Sequence, residues 1–179
     1  VLFRSGRFVT IQRTQITGNA SISRSSDAGG IGADQGELLR MVESQVTNNI
    51  PAGIYLYGGY GLSAEITRSI VAFNGLLAVS TGSALFNSGA TLEIRDSLFA
   101  SNGAGATTAS SLAPVYMLGS SRTVISNSSF YQNSVAVDGG VVLRNSTIDA
   151  SLIDYSGPFN LPAPVLYNTI VRSEEHTSE

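Results

Sequence analysis

The chain has 179 residues, a formal net charge of −3 at pH 7, 42% hydrophobic residues and no cysteine. This charge is too small and too mixed to predict nucleic-acid binding, and no apolar run is long enough to predict membrane insertion. The lack of cysteine excludes disulfides and thiolate metal sites. The 19 glycines and many Ser, Thr and Asn residues favour a turn-rich all-β fold.

Both ends of the chain differ from the rest of the sequence. Residues 1–5 (VLFRS) and 172–179 (RSEEHTSE) resemble the translation of a common sequencing adapter, read on its two strands. We therefore expect the native sequence to occupy residues 6–171, as a fragment cut from a longer protein at both ends. The only histidine, His176, falls in the second of these segments. A Ser-His-Asp hydrolase is therefore not expected within residues 6–171.

One pattern repeats along residues 6–171: an apolar residue, two spacers, Ser or Thr, one spacer and a second apolar residue. Numbering the Ser or Thr as position 0, apolar residues stand at −3 and +2 in every copy, and Asn stands at +5 in the first five copies. The anchors at position 0 are Thr14, Ser44, Ser69, Ser97, Ser128, Ser146 and Thr169. Repeats of this length are typical of solenoids.

Strand-like alternation within the repeat predicts its secondary structure. Segments such as 53–57 (GIYLY) and 91–94 (TLEI) alternate with period two, and no helical period is visible. One strand-rich coil per repeat predicts a right-handed parallel β-helix, a single-stranded solenoid of about six to seven coils that rise about 4.8 Å each. Ser151 could replace Ser146 as an anchor, which leaves the register of residues 141–156 open.

Position −1 is predicted to be a tight corner between two short strands. It reads Arg13, Glu43, Arg68, Asp96, Asn127, Asn145 and Asn168. Asparagine tolerates the left-handed backbone conformation, and stacked asparagines can form an amide ladder. The alternating charges of the first four coils are expected to lie about 5 Å apart as ion pairs that fix the register. Asn at +5 is expected to mark the next turn.

Three phrases of the repeat carry a resemblance to a known group of proteins. Residues 68–71 (RSIV), 144–148 (RNSTI) and 168–171 (NTIV) resemble the β-helix repeats of bacterial surface proteins, particularly polymorphic outer-membrane-protein and autotransporter passenger domains. The resemblance covers nearly all of residues 6–171 and implies a pectin-lyase-like fold. It further implies an adhesin-like rod at the cell surface, associated with the outer membrane, with a polysaccharide or a cell-surface protein as partner. Polysaccharide lyases and glycoside hydrolases share these repeats, so an enzyme is the alternative.

Position −4 holds the weak catalytic candidates Arg40, Glu65 and Glu93 on three successive coils. Two carboxylates about 5 Å apart have the separation that retaining glycosidases use. However, any outward column of a β-helix gives this separation. An ion-pair ladder exposed to solvent is therefore the favoured interpretation.

The Gly-rich segment 27–37 holds the weak metal candidates Asp27, Asp34 and Glu37. Residues 29–34 (GGIGAD) match the start of a calcium-binding nonapeptide repeat, but Gly36 occupies the position that requires an apolar residue. Calcium is therefore a weak prediction, no other cofactor is expected, and a flexible surface loop is favoured here.

Tyr55, Tyr57 and Tyr60 form an aromatic cluster, with Tyr116 expected to stack two coils later. Such a face can pack against sugar rings or a partner protein. Ordinary packing at a coil corner is the alternative. The interruptions at residues 19–37 and 103–114 are the expected recognition loops.

Overall fold

The computed structural model describes most of the repeat as β-strands. The described residues are 2–4, 8–20, 29–34, 38–50, 53–57, 62–75, 85–88, 91–102, 115–118, 122–131, 135–138, 141–149, 152–154 and 165–172. Within these ranges there are 21 strands, numbered β1 to β21 in chain order, and no helix. The predicted all-β class is therefore confirmed.

The strands form three seven-stranded sheets, which successive strands enter in rotation. The first sheet contains β1 (Leu2–Arg4), β4 (Ile31–Asp34), β7 (Ile54–Tyr57), β10 (Leu85–Ser88), β13 (Val115–Leu118), β16 (Val135–Asp138) and β19 (Leu152–Asp154). The second contains β2 (Phe8–Gln12), β5 (Leu38–Val42), β8 (Ser63–Thr67), β11 (Thr91–Arg95), β14 (Arg122–Ser126), β17 (Val141–Arg144) and β20 (Val165–Tyr167). The third contains β3 (Gln15–Thr17), β6 (Gln45–Thr47), β9 (Ile70–Ala72), β12 (Leu98–Ala100), β15 (Ser129–Tyr131), β18 (Thr147–Asp149) and β21 (Ile170–Arg172).

Neighbouring strands within each sheet pair in parallel, coil upon coil. One strand from each sheet makes up one coil, and the chain returns to the same sheet after each circuit. This arrangement is a parallel β-solenoid, as the repeat predicts. The predicted alternation is confirmed in β11, where Leu92 and Ile94 are buried between exposed or half-buried neighbours. In β7, Ile54 and Leu56 are buried.

The apolar columns of the repeat form the core. Position −3 is buried at Ile11, Met41, Ile66, Ile94, Ile125 and Leu143, and position +2 is buried at Ile16, Val46, Val71, Phe99, Phe130 and Ile148. Because a strand alternates its side chains between two faces, the residue at +2, in the middle of each three-residue strand of the third sheet, faces the interior, and the residue at −3 does so in the longer strands of the second sheet. The two predicted columns are therefore confirmed, and only their last members, Leu166 and Val171, are exposed.

The position-0 serines form a buried ladder parallel to the solenoid axis. The Ser44 N–H donates to Ser69 Oγ over 3.2 Å, and the Ser69 N–H donates to Ser97 Oγ over 3.2 Å. Each hydroxyl also donates to the carbonyl two residues earlier in its own coil, as Ser69 Oγ does to Thr67 O over 2.9 Å. A serine fits this position because its hydroxyl donates within one coil and accepts from the coil before it.

A second buried ladder is built from the asparagines at +5. Asn49, Asn74 and Asn102 are buried. Asn74 Nδ2 donates to Asn102 Oδ1 over 3.1 Å and to the Val46 carbonyl over 2.9 Å. The turn itself is made one residue earlier, at +4, where Asn48 and its equivalents have positive φ. The asparagine at +5 thus follows the turn residue directly, and its side chain makes hydrogen bonds on the buried side of the corner.

The register near residues 141–156 follows Ser146. The Ser128 N–H donates to Ser146 Oγ over 3.4 Å, and the Thr147 N–H donates to the Ser128 carbonyl over 3.0 Å. Ser146 therefore continues the serine ladder. Residues 152–154, which follow Ser151, form β19 in the first sheet and pair with β16.

The prediction of a surface loop is wrong for residues 29–34. Gly29 and Gly30 are buried, and Ile31–Asp34 is β4, which pairs with β1 and β7. A Cβ at Gly29 would overlap the Ile50 carbonyl oxygen, and one at Gly30 would overlap the Gly53 carbonyl oxygen. These glycines therefore allow close backbone approach between coils, a role that glycine content alone does not distinguish from a flexible loop.

Candidate functional site

The corner at position −1 is the most regular outward-facing feature of the described residues. All seven residues at this position have φ between 45° and 51°, namely Arg13, Glu43, Arg68, Asp96, Asn127, Asn145 and Asn168. The predicted left-handed corner is confirmed, also where the residue is not asparagine. Left-handed backbone costs a non-glycine residue about 1–2 kcal/mol, so contacts between coils have to offset this cost at every corner.

The charged half of this corner column forms an ion-pair ladder. Arg13 Nε lies 3.0 Å from Glu43 Oε2, and Arg68 Nη2 lies 2.9 Å from Glu43 Oε1. Hydrogen bonds from Arg13 and then Arg68 lower the pKa of the Glu43 carboxyl from its ordinary value of 4.5. The predicted alternation of charge is therefore confirmed for these three residues, and it holds Glu43 ionised.

The other half of the corner column forms an amide ladder. Asn127 Nδ2 donates to Asp96 Oδ1 over 3.2 Å, and Asn145 Nδ2 donates to Asn127 Oδ1 over 3.4 Å. Asn168 Nδ2 continues the ladder to Asn145 Oδ1 over 2.9 Å. The predicted amide ladder is thus confirmed. It runs on the outside of the solenoid, whereas the ladder of Asn49, Asn74 and Asn102 is buried.

The position −4 residues lie in register on the second sheet. Arg40 pairs with Glu65 along the ladder of β5 and β8, and Glu65 pairs with Glu93 along β8 and β11. Arg40 Nε lies 3.5 Å from Glu65 Oε2. Arg95 Nε donates to Glu93 Oε1 over 2.8 Å within the same strand. Each carboxylate therefore has its own arginine partner.

This geometry favours charge pairing over acid catalysis. A general acid must retain a proton, which requires burial or a nearby like charge that is not neutralised. Glu65 and Glu93 are both partly exposed, and each contacts a guanidinium group. The ion-pair interpretation of this column agrees with these contacts. The backbones of Glu65 and Glu93 are neighbours on adjacent strands, one strand spacing of about 4.8 Å apart.

The predicted tyrosine stack lies in the first sheet. Tyr55 in β7 pairs with Phe86 in β10, and Phe86 pairs with Tyr116 in β13. The expectation that Tyr116 stands two coils after Tyr55 is therefore confirmed in the backbone register. Sequence reasoning missed Phe86 between them, because Phe86 stands 11 residues before the anchor Ser97 whereas Tyr55 stands 14 residues before the anchor Ser69. Tyr57 pairs with Asp34 and Ser88, and Tyr60 lies outside the described residues.

The proposed calcium ligands are only partly within the described residues. Asp34 ends β4, and its register neighbours are Arg4 and Tyr57. Asp27 and Glu37 lie outside the described residues. Among the residues that are described, no group of three His, Cys, Asp or Glu side chains comes together as a metal site would require. Calcium binding therefore stays a sequence prediction.

A shallow depression of about 550 Å³ lies beside the corner column, and sequence reasoning did not identify it. Its lining includes the polar corner residues Arg68, Asp96 and Asn127 and the apolar residues Ile70 and Leu98 of the third sheet. The alternation of polar corner and apolar strand residues in coils three to five is the sequence signal for it.

Comparisons with known proteins assign neither a family nor a function to the chain. No protein-family model, no curated protein and no solved structure matches the chain at a significant level. Nor does the described part of the chain include a helix with the length and apolar character needed to cross a bilayer. The function has to be argued from the geometry of the solenoid.

Proposed function

We propose that this chain is a structural and binding module of a secreted or cell-surface bacterial protein. In this proposal it is a segment of a rod, a right-handed β-helix of six to seven coils like the passenger domains that its repeats resemble. Stacking coils extend a chain along one axis and expose long repetitive faces, which suits display and multivalent contact better than a single enclosed reaction site. We place it outside the cell, associated with the outer membrane.

The observation that carries this proposal is the way the charged side chains pair along the axis. Glu43 lies between Arg13 and Arg68, Glu65 contacts Arg40, and Glu93 contacts Arg95. Each pair links neighbouring coils or lies within one strand. A hydrolase or lyase instead needs an acid and a base held together in a groove, with different affinities for protons. Axial pairing supports a role in fixing coil register.

A polysaccharide is the partner that we favour. Tyr55, Phe86 and Tyr116 occupy one register position of three neighbouring strands, spaced by about 4.8 Å per coil. Tyrosine and phenylalanine are residue types that pack against the apolar faces of sugar rings, and tyrosine adds a hydroxyl that can bond to a sugar. A cell-surface protein is the other partner that such a face would suit.

Binding to polysaccharides tests this proposal directly. The chain should be retarded in native gels that contain soluble bacterial or plant polysaccharides, and Tyr55→Ala should weaken the retardation. Tyr131→Ala is the matched control, since Tyr131 is an exposed tyrosine on the third sheet. Equal loss of retardation in both variants would place binding elsewhere. If no polysaccharide retards the chain while a surface protein captures it, the partner is a protein.

A polysaccharide lyase or glycoside hydrolase is the second candidate function. The specific observation in its favour is the register pairing of Glu65 with Glu93, which places two carboxylates on adjacent strands of one sheet. The test is release of reducing ends or unsaturated products from the same polysaccharides. Cleavage by the unmodified chain that is lost in both Glu65→Gln and Glu93→Gln would establish the enzyme and overturn the binding module. Retardation without cleavage is the result expected.

A further inference from the structure

The buried asparagine ladder contains a pair of residues that can react with each other. Asn74 is followed directly by Gly75 in the sequence. In such a pair, the backbone nitrogen of the glycine can attack the side-chain amide carbon of the asparagine, because glycine has no side chain that obstructs the approach. Reactions of this kind make asparagine a thermolabile residue in proteins. The pair of Asn74 and Gly75 is therefore a candidate for covalent self-modification.

Hydrogen bonds occupy both reacting groups in the folded chain. Asn74 is 0% exposed, and its Nδ2 donates to the Val46 carbonyl over 2.9 Å and to Asn102 Oδ1 over 3.1 Å. Its Oδ1 accepts from the Asn49 N–H over 3.0 Å. The Gly75 N–H, which holds the attacking nitrogen, donates to the Asn49 carbonyl over 2.9 Å. The reaction requires these hydrogen bonds to break, because the nitrogen has to give up its proton and the amide has to lose its own nitrogen.

The corner that contains this pair is strained. Phe73, at the turn position +4, has a φ of 55°, a conformation that is unfavourable for a bulky residue. Phe73 is also 48% exposed, so packing offsets only part of this cost. The same corner is made by Gly18, Asn48 and Ser101 in other coils, which are smaller residues. A strained conformation persists only while its surroundings hold it, so the corner at Phe73 is the one expected to open most readily among these four.

We propose that Asn74 and Gly75 form a self-modification site, which the folded ladder keeps unreactive and which local opening of this corner activates. On opening, the Gly75 nitrogen bonds to Cγ of Asn74, the Cγ–Nδ2 bond breaks, and the amide nitrogen leaves as ammonia together with the proton of the glycine nitrogen. Water then opens the resulting cyclic imide at one of its two carbonyl carbons. Attack at Cγ gives aspartate, and attack at the backbone carbonyl carbon gives isoaspartate, in which the main chain continues through the side chain.

The modified corner cannot rebuild the ladder. A carboxylate at position 74 accepts hydrogen bonds but donates none. The Val46 carbonyl and Asn102 Oδ1, which both accept from Asn74 Nδ2, would lose their donor and face a negatively charged oxygen instead. Burial of such an unpaired charge is costly. The reaction therefore converts a transient opening of one corner into a lasting interruption of the solenoid, and it is independent of the polysaccharide-binding proposal.

Peptide mapping by mass spectrometry measures the modification. Trypsin cleaves after Arg68 and Arg95, so Asn74 lies in peptide 69–95, and fragmentation of this peptide separates Asn74 from Asn87. The unmodified chain is incubated at mildly alkaline pH, folded in one sample and unfolded in urea in the other. Conversion of Asn74 should be at least about tenfold slower in the folded sample, since it has to wait for the corner to open. Equal rates in the two samples would show that the ladder does not protect the pair.

Asn102→Ala distinguishes local opening from unfolding of the whole chain. Asn102 Oδ1 accepts from both the N–H and the Nδ2 of Asn74, so its loss should accelerate conversion of Asn74 in the folded chain at least about tenfold. Ile148→Ala is the matched control, because it removes buried apolar contacts in β18 and leaves the ladder intact. It should change the rate little. Equal acceleration in both variants, or none in Asn102→Ala, contradicts the proposal.

Phe73→Gly tests the strained corner with a variant that should fold at least as well. It places at this turn the residue type that Gly18 supplies in the first coil, which removes the cost of positive φ for a side chain. The ratio of the folded rate to the rate in urea should therefore fall. A ratio that stays the same or rises would show that strain at Phe73 does not open the corner. Circular dichroism establishes that each variant retains its β-structure before the rates are compared.

Asn74→Asp reproduces one product of the reaction and tests whether the opening is permanent. Its denaturation midpoint should lie clearly below that of the unmodified chain. Asn168→Asp is the matched control, since Asn168 is exposed and its Nδ2 donates on the outside of the solenoid, and its midpoint should change little. A midpoint of Asn74→Asp as high as that of Asn168→Asp would show that the ladder accepts the product, and the lasting interruption would then be excluded.

Discussion

The ring of Phe99 stacks on the ring of Phe130 in the next coil, with 5.2 Å between the ring centroids and 19° between the ring planes. Both rings are fully buried at position +2, where the earlier coils carry the smaller residues Val46 and Val71. The stacked rings keep the strand spacing, since their separation is close to one coil rise.

Phe99→Ala is expected to destabilise the chain strongly. The substitution removes a buried ring that contacts Phe130, and the rigid strands on either side prevent the cavity from collapsing, so the cost should be about 3–5 kcal/mol. Denaturant titration followed by circular dichroism measures it. Tyr131→Ala is the control, because Tyr131 is adjacent in sequence to Phe130 but exposed, and it should cost well under 1 kcal/mol. Similar costs for the two variants would show that the stack is not a packing centre.

Asn74→Ala is expected to break the buried asparagine ladder. Asn74 Oδ1 accepts from the Asn49 N–H over 3.0 Å, and Asn74 Nδ2 donates to the Val46 carbonyl over 2.9 Å. Each of these backbone groups would lose its partner inside the protein, at a cost of about 1–3 kcal/mol each. Denaturant titration again measures the loss.

Asn168→Ala is the matched control for the asparagine ladder, since Asn168 is exposed and makes its amide hydrogen bond on the outside. It should cost less than about 0.5 kcal/mol, because water replaces the lost partner. A loss in Asn74→Ala no larger than that in Asn168→Ala would mean that water or a backbone shift satisfies the buried groups.

These ladders show what the sequence could and could not predict. The apolar columns and the corner at −1 follow from local rules: alternation requires apolar residues inside, and a tight corner requires left-handed backbone. The buried roles of Ser69 and Asn74 do not follow from such rules, because an isolated Ser or Asn belongs at the surface. They become favourable inside only when the coil above and the coil below place the same side chain at hydrogen-bond distance.

The strands of the first sheet were the least predictable part of the fold. β7 has a clear alternation of apolar residues in its sequence, but β4 consists of Ile31-Gly32-Ala33-Asp34 in a Gly-rich segment, for which the sequence predicts a loop. It forms a strand because β1 and β7 pair with it on both sides. Pairing within a stack thus overrides local propensity. Prediction of the candidate site is limited in the same way, because only the strand register shows that Phe86 is a neighbour of Tyr55.

Gly29→Ala is expected to prevent normal stacking of the coils around it. The new methyl group would overlap the Ile50 carbonyl oxygen and lie 2.7 Å from the Asn19 carbonyl oxygen. Both are backbone atoms held in place by the hydrogen bond of the Ile50 N–H to the Asn19 carbonyl, so the overlap cannot be relieved by rotating a side chain. We expect a loss of several kcal/mol, in the range of overpacked or strained sites.

Gly18→Ala separates this steric effect from the loss of glycine freedom. A Cβ at Gly18 would meet no atom within 4 Å, although the residue has a φ of 69°. Its cost should therefore be limited to the left-handed conformation, about 1 kcal/mol. Thermal denaturation of the two variants compares them. If Gly18→Ala is as damaging as Gly29→Ala, close approach between the coils is not the reason for glycine at position 29.

The ion-pair ladder predicts a dependence of stability on pH. Because Arg13 and Arg68 lower the pKa of Glu43 in the folded state, the folded chain binds this proton more weakly than the unfolded chain does. The contribution of Glu43 is therefore fully present above its ordinary pKa of 4.5 and is lost as the pH falls through the lower folded value. Glu43→Gln removes the charge but keeps the shape of the side chain. It should be less stable than the unmodified chain at pH 7, and the difference should vanish in acid.

Measurement of the denaturation midpoint of both proteins from neutral pH down into acid tests this dependence. The difference at pH 7 should be small, since all three side chains contact solvent, and it should shrink further in high salt because exposed charges are screened. Arg13→Gln provides the control from the other partner of the ion pair. Its stability difference from the unmodified chain should disappear over the same pH window. This difference should be smaller than that of Glu43→Gln, because Arg68 still contacts Glu43. A difference between Glu43→Gln and the unmodified chain that persists unchanged in acid would assign the role of Glu43 to its shape at the corner rather than to its charge.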